Sequence, residues 1–331
     1  MPNKRLFLLV FMICFIAVVT LGVFARPEQN EKNTSDVQHS PAVETSISTS
    51  ETVFSKGNVI SPTNPDAAPM HWYRNQVVVL SYHHVDEHSD QPFAISPKQF
   101  EEQMSFLQEH DLNPITLGEF LHFMETGSLA TPNAVLITFD DGYESYYTEA
   151  FPIMRTYGFP SVNFVIAGRL RDTADRKREN MTPPLTRQQI LEMRATGLAE
   201  FGSHTYSLHG QDALNEWGDL GPVTAPVYLE DLQRLEAEQE YRDRLYVDFS
   251  MSRIGLSEWL HHPIEVISLP FGYTNLIVQE TAKQAGYRYV FNSNPGVVTS
   301  DTDPFAIPRF DVGTREMDMT KLHQLFMKAK N

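Results

Sequence analysis

Residues 134–142 read Ala-Val-Leu-Ile-Thr-Phe-Asp-Asp-Gly (AVLITFDDG). The run up to Thr138 is apolar or β-branched without alternation, which is how a strand buried on both faces reads. It then meets two adjacent carboxylates, Asp140 and Asp141, and a glycine. Strands buried on both faces belong to parallel sheets covered by helices. In such sheets the strand C-termini share one face, and chemistry collects there. Three more strand-like segments end in chemically capable residues. Gln76–Tyr82 (QVVVLSY) ends at His83-His84. Ala199–Phe201 ends at Gly202-Ser203-His204, with His209 five residues on. Glu265–Leu269 (EVISL) ends at Pro270-Phe271-Gly272-Tyr273.

Working outward, strands and helices alternate. Helical spacing covers Pro97–Glu109, with Phe100, Met104 and Leu107 at i, i+4 and i+7. Tyr147–Tyr157 reads as a helix. So does Thr186–Thr196, with Thr186 as N-cap and Gln189 three residues later. Tyr228–Trp259 has helical composition, with a break expected near Gly255. Asn275–Ala285 is a helix ended by Gly286, and Thr320–Lys330 is a last helix. Ser161–Ala167, Tyr287–Asn292 and Ala306–Val312 complete the strands. The body from Val77 onward has the size of a (β/α) barrel, for which about 250 residues are typical. The expected fold is α/β: a distorted (β/α) barrel of seven or eight strands in a single domain at 77–331. An open doubly wound sheet is the alternative. No GxGxxG or GxxxxGK[ST] pattern supports a nucleotide cofactor.

The N-terminus has a different texture. Lys4-Arg5 precede an apolar run from Leu6 to Phe24. Its nineteen residues would span roughly 28 Å as a helix, close to a bilayer's hydrocarbon thickness. Residues 1–25 read as a signal anchor, or as a signal peptide cleaved after Ala25. The length of the run favours the anchor. Cations on the short side keep that end in the cytoplasm and put the body outside, anchored to the cell membrane or secreted. Residues 26–76 are rich in Ser, Thr, Asn, Pro and Glu, and read as a disordered extracytoplasmic linker.

Of the 331 residues, 26 are Lys or Arg and 42 are Asp or Glu, for a net charge of −16. So acidic a chain suits neither the phosphates of nucleic acid nor an anionic lipid surface. The single cysteine, Cys14, excludes an intramolecular disulfide and a thiolate metal cluster. A metal site must therefore use His, Asp or Glu.

Taken singly, the polar motifs are ambiguous. Asp-Asp-Gly also fits an acidic turn. His204 and His209 cannot share one helix face or one strand face, so joint ligation needs a loop. Together they form a set. One carboxylate with two imidazoles is a ligand set for a catalytic Zn²⁺, a second carboxylate can act as base, and a further histidine as acid.

These motifs resemble the polysaccharide deacetylases of NodB-homology type (carbohydrate esterase family four). Thr138-Phe-Asp-Asp-Gly142 matches the first family motif. His204-Thr-Tyr-Ser-Leu-His209 resembles the second, and Leu269-Pro-Phe-Gly272 the third. The resemblance implies that Asp140 is the catalytic base and that Asp141, His204 and His209 hold a divalent metal, with Zn²⁺ favoured. It implies that Pro270, Phe271, Gly272 and Tyr273 line the groove, with the Phe271 N–H as an oxyanion donor. Three features depart from the common pattern. The histidines are five apart, Ser268 stands where the third motif usually has arginine, and no late Leu-x-His segment is evident. All three are features of the permuted subgroup that deacetylates poly-β-1,6-N-acetylglucosamine in biofilms. There an early Tyr-His-x-Val segment carries the acid, and Tyr82-His83-His84-Val85 is similar to it. His83 is then the general acid, with His84 as the alternative. Arg309, in Ile-Pro-Arg-Phe-Asp, would orient Asp140 in place of the missing arginine.

The activity so implied is metal-dependent removal of N-acetyl groups from an extracellular N-acetylglucosamine polymer. Peptidoglycan, chitin oligomers and O-acetylated glycans are alternative substrates. A non-catalytic glycan-binding matrix protein is the alternative of another class.

Overall fold

The computed structural model describes residues 72–170 and 182–329. In chain order its strands are β1 (Val77–Tyr82), β2 (His84–Val85), β3 (Ala94–Ile95), β4 (Asn113–Pro114), β5 (Ala134–Phe139), β6 (Ser161–Val165) and β7 (Ala199–Ser203). They continue with β8 (Gln211–Ala213), β9 (Leu220–Pro222), β10 (Tyr228–Leu229), β11 (Arg234–Leu235), β12 (Val266–Ser268), β13 (Tyr289–Phe291) and β14 (Phe310–Asp311). Eight of them form one sheet in the order β13-β12-β7-β6-β5-β1-β14, with β4 beside the lower half of β5. Its pairings are parallel, and β1 and β5 are matched from Val77↔Ala134 to Tyr82↔Phe139.

The sheet is closed by a strap rather than by a long strand. Before β14, Ile307 N–H donates to Val290 O (2.9 Å), Asn292 N–H to Ile307 O (2.9 Å) and Arg309 N–H to Asn294 O (3.0 Å). After it, Val312 N–H donates to Ser81 O (3.1 Å). The segment read as a strand over Ala306–Val312 thus bonds to β13 on one side and β1 on the other. The result is a distorted (β/α) barrel.

Side chains alternate across β1 and β5 as strand geometry requires. Val78, Leu80, Tyr82, Val135, Ile137 and Phe139 pack outward with Phe100 and Met104 of the helix Pro97–Glu109. Val77, Val79, Ala134 and Leu136 face inward with Val162, Phe164, Val266 and Phe291. Full burial of each large apolar side chain stabilises by about 1.5–3 kcal/mol. Thr138 and Asp140 continue the inward row towards the open end of the barrel.

Two helices differ from the sequence reading. Leu117–Thr126 is a helix that the reading left out. Its Leu117, Phe120 and Phe123 enter the inner cluster. Its start carries a reciprocal capping box between Thr116 and Glu119, and Gly127 (φ 70°) ends it. The helix expected from Tyr228 begins only at Glu238, because β10 and β11 form a hairpin before it. It then runs unbroken to Leu260. Gly255 lies inside it, and Leu256 and Leu260 beyond are buried. Packing of that face outweighs the roughly 1 kcal/mol cost of a helical glycine.

The expected linker extended to residue 76, yet Trp72 and Tyr73 are buried. Both of their N–H groups donate to Asn133 Oδ1, and the Trp72 indole donates to His110 O. The folded body therefore takes in the end of that range. The apolar run 6–24, Cys14 and the linker before residue 72 lie outside the described residues. Among the described residues no helix is long and apolar enough to cross a membrane.

Candidate active site

The site is assembled by four strand ends and the closing strap. β5 delivers Asp140 on its inward row. Asp141 follows in the left-handed region (φ 73°) and Gly142 too (φ 68°). This double left-handed step turns both carboxylates to the barrel mouth, which a continued strand could not do. A Cβ at residue 142 would meet Val165 Cγ1 at 2.9 Å. Gly142→Ala is therefore expected to lower stability by more than about 1 kcal/mol in urea unfolding. It should also weaken metal retention through Asp141.

Asp140 is 2% exposed and Arg309 1%. The guanidinium forms a bidentate pair with it, Nη1 to Oδ1 at 2.9 Å and Nη2 to Oδ2 at 2.7 Å. Arg309 also donates to Ser268 Oγ (2.8 Å), Asn292 O (2.9 Å) and Thr138 Oγ1 (3.3 Å). Ser268 Oγ in turn donates to Asp140 Oδ2 (3.1 Å). Ser268 therefore contacts the guanidinium that arrives from the strap. Burial alone would raise the Asp140 pKa. The charge and hydrogen bonds of Arg309, with His204 and His83 nearby, outweigh it and lower the value to about 2. Asp140 is ionised at neutral pH.

Asp141, His204 and His209 converge. Asp141 Oδ1 lies 2.8 Å from His209 Nε2 and 3.4 Å from His204 Nε2. All three atoms fall within 4.8 Å of one another. Ligands about 2.0–2.1 Å from one tetrahedral ion would sit roughly 3.4 Å apart, so the set fits a small divalent cation. His204 Nδ1 lies 2.9 Å from Ser268 O, an acceptor only, so Nδ1 carries the proton and Nε2 offers its lone pair to the site. Burial lowers the His204 pKa to about 4 against the pull of Asp140 and Asp141, so this ring is neutral at pH 7. Burial would raise the Asp141 pKa, but the close approach of His209 and the neighbouring imidazoles hold it below the usual range. The His209 side chain is 20% exposed, against 2% for the other two, and opens the site to solvent.

Tyr143, the residue after the motif, is buried near Asp141. Burial and that carboxylate both raise its pKa, so its hydroxyl stays a donor. The sequence reading did not single it out, although its position beside Asp-Asp-Gly was a signal.

The two adjacent histidines diverge. His83 Nε2 lies 3.9 Å from Asp140 Oδ2, and its side chain is 22% exposed. His84 is buried, with Nδ1 2.6 Å from Ser145 Oγ and its ring against Tyr143. Burial lowers its pKa, opposed by Asp86 and Asp141.

Pro270-Phe271-Gly272 forms a tight turn with Phe271 (φ 57°) and Gly272 (φ 64°) both left-handed. The bonds that tie it, Gly272 N–H to Leu269 O and Tyr273 N–H to Pro270 O, do not use the Phe271 N–H. The Phe271 ring is half exposed and 5.2 Å from the His209 ring. Tyr273 lies elsewhere in its bonding: its hydroxyl accepts from Asn275 Nδ2, which also donates to Tyr241.

Comparison with known proteins bears on the family and the fold. The family model for polysaccharide deacetylase matches residues 129–290. The poly-β-1,6-N-acetyl-D-glucosamine N-deacetylase of Escherichia coli K12 is 31% identical over 262 residues, 74% of this chain and 38% of the relative. The chain thus spans about two fifths of that relative's length. The poly-β-1,6-N-acetyl-D-glucosamine N-deacetylase of Staphylococcus aureus MSSA476 is 29% identical over 217 residues, 66% of this chain and 67% of the relative. A solved de-N-acetylase from Aggregatibacter actinomycetemcomitans superposes with a TM-score of 0.68 at 25% identity, covering 76% of this chain and 99% of that one. On motif, fold and site together, this chain carries a domain of the polysaccharide deacetylase family.

Proposed function

We propose that the protein is a metal-dependent hydrolase that removes N-acetyl groups from an extracellular N-acetylglucosamine polymer, with the poly-β-1,6-linked form favoured. The observation that carries this reading is an Asp/His/His set within 4.8 Å beside an ionised carboxylate held by a buried arginine. The relatives' names supply the substrate class.

A divalent ion, Zn²⁺ favoured by the imidazole and carboxylate donors, would polarise the amide carbonyl and acidify a water. Asp141, His204 and His209 would hold it. Asp140 takes the proton of the attacking water. His83, 3.9 Å from the Asp140 carboxylate and partly open to solvent, protonates the departing amine. The Phe271 N–H donates to the carbonyl oxygen as it gains charge. Acetate and a cationic sugar leave. In this reading residues 6–24 anchor the enzyme to the membrane, and the linker lets it reach exported polymer.

The test is release of acetate and free amine from β-1,6- and β-1,4-linked N-acetylglucosamine oligomers, with and without a chelator. The expected result is chelator-sensitive release that favours β-1,6 chains. Release from β-1,4 chains alone would move the substrate to chitin-like or wall glycans. No release and no bound metal would overturn the enzyme reading.

A further inference from the structure

His204 and His209 lie on one loop, and their common focus depends on how that loop is held. Between them Thr205 takes a left-handed conformation (φ 68°). Its N–H donates to Ser203 Oγ (3.1 Å), and its Oγ1 accepts from Leu208 N–H (3.2 Å). On one side the loop is bonded by the turn after β6, with Ala167 N–H to Thr205 O (3.0 Å) and Gly168 N–H to Tyr206 O (2.9 Å). On the other side stands the helix Glu238–Leu260, and here a buried carboxylate takes the hydrogen bonds.

Asp248, from the middle of that helix, is 5% exposed. Its carboxylate accepts three hydrogen bonds from the loop: Tyr206 N–H to Oδ1 at 2.8 Å, Ser207 N–H to Oδ2 at 2.8 Å and Ser207 Oγ–H to Oδ2 at 2.9 Å. One turn on, Ser252 Oγ lies 2.6 Å from Ser203 Oγ, directly before His204. A buried carboxylate is costly unless its oxygens are met by donors, and here those donors come from the four residues between the two imidazoles. Arg244, one turn earlier on the helix, is engaged by Glu236 instead.

We infer that Asp248 is a positioning residue for the metal centre: by clamping Tyr206 and Ser207 it sets the separation and aim of His204 and His209. This rests on the metal-dependent reading above. Asp248 touches neither ligand nor substrate. It acts on the backbone that joins the ligands, so its loss should appear in metal affinity before it appears in substrate binding.

The experiment is competition for Zn²⁺ against a chelating indicator, on the full chain and its Asp248→Asn and Ser207→Ala variants. Asp248→Asn replaces one acceptor oxygen by a donor facing N–H groups. Zn²⁺ affinity is expected to fall about 10–100-fold, the usual effect of removing a ligand's support. Ser207→Ala removes a single bond and should give a smaller loss in the same direction, in a protein whose fold is not at risk. Amide exchange at Tyr206 and Ser207 should quicken in Asp248→Asn while the β5 and β6 amides stay protected. At saturating Zn²⁺, KM for an N-acetylglucosamine oligomer should match the parent's. A parent that binds Zn²⁺ together with variants that bind it equally tightly overturns the positioning role alone. Lower melting temperatures with unchanged affinity do the same. A parent that binds no Zn²⁺ overturns the metal-dependent reading itself.

Discussion

Arg309→Met is expected to destabilise the protein by about 3–5 kcal/mol, because it strands a buried carboxylate without its counter-charge. The pair is inaccessible to water and bidentate. Asp140→Asn strands the guanidinium instead and should cost a similar amount. The double variant Asp140→Asn/Arg309→Met leaves neither charge buried and should recover part of that loss in urea unfolding. Activity should not recover: removal of a general base lowers turnover by about 10²–10⁴-fold. Stability and catalysis thus separate within one cycle. Additive destabilisation in the double variant would show that the two groups are not coupled. The pH dependence has a definite sign. The Asp140 pKa is about 2 in the fold against an ordinary 3.8. Its contribution is therefore complete above the ordinary value and is lost as pH falls through the folded one.

The second large effect distinguishes the neighbouring histidines. His83→Ala is expected to lower turnover by about 10²–10⁴-fold, with Zn²⁺ binding and unfolding close to the parent's. The ring faces Asp140 and is partly open to solvent, so its loss leaves no buried polar group behind. His84→Ala should do the reverse. It removes the partner of Ser145 Oγ in a buried setting and should cost about 1–3 kcal/mol of stability, with a much smaller effect on turnover. Acetate release and urea unfolding on the two variants decide the matter. A larger turnover loss in His84→Ala would transfer the acid role to that residue.

Much of this was legible in one dimension because parallel strands end on a common face. AVLITFDDG is a buried strand whose polar end has nowhere to go but the mouth, and the ends at His83, His204 and Pro270 fall beside it for the same reason. The helix Leu117–Thr126 was missed although Thr116 and Glu119 carried its start signal. Its apolar residues face a barrel interior, and the chain alone does not reveal that destination. The late start at Glu238 was hidden because Tyr228–Ala237 has helix-compatible composition, while Gln233 (φ 50°) makes a turn there. Asp248 was invisible for a different reason. An acid on a mostly polar helix looks solvated until the loop 203–209 is folded against it.

The strap over Ala306–Val312 bears on the life of the chain. Arg309 is the last site residue to be synthesised, and it reaches Asp140 only when the strap settles between β13 and β1. Until then Asp140 lacks its partner and the barrel has an open seam. On the proposed reading, a chain halted or clipped before the strap would lack the arginine that pairs with Asp140 as well as the segment that joins β13 to β1.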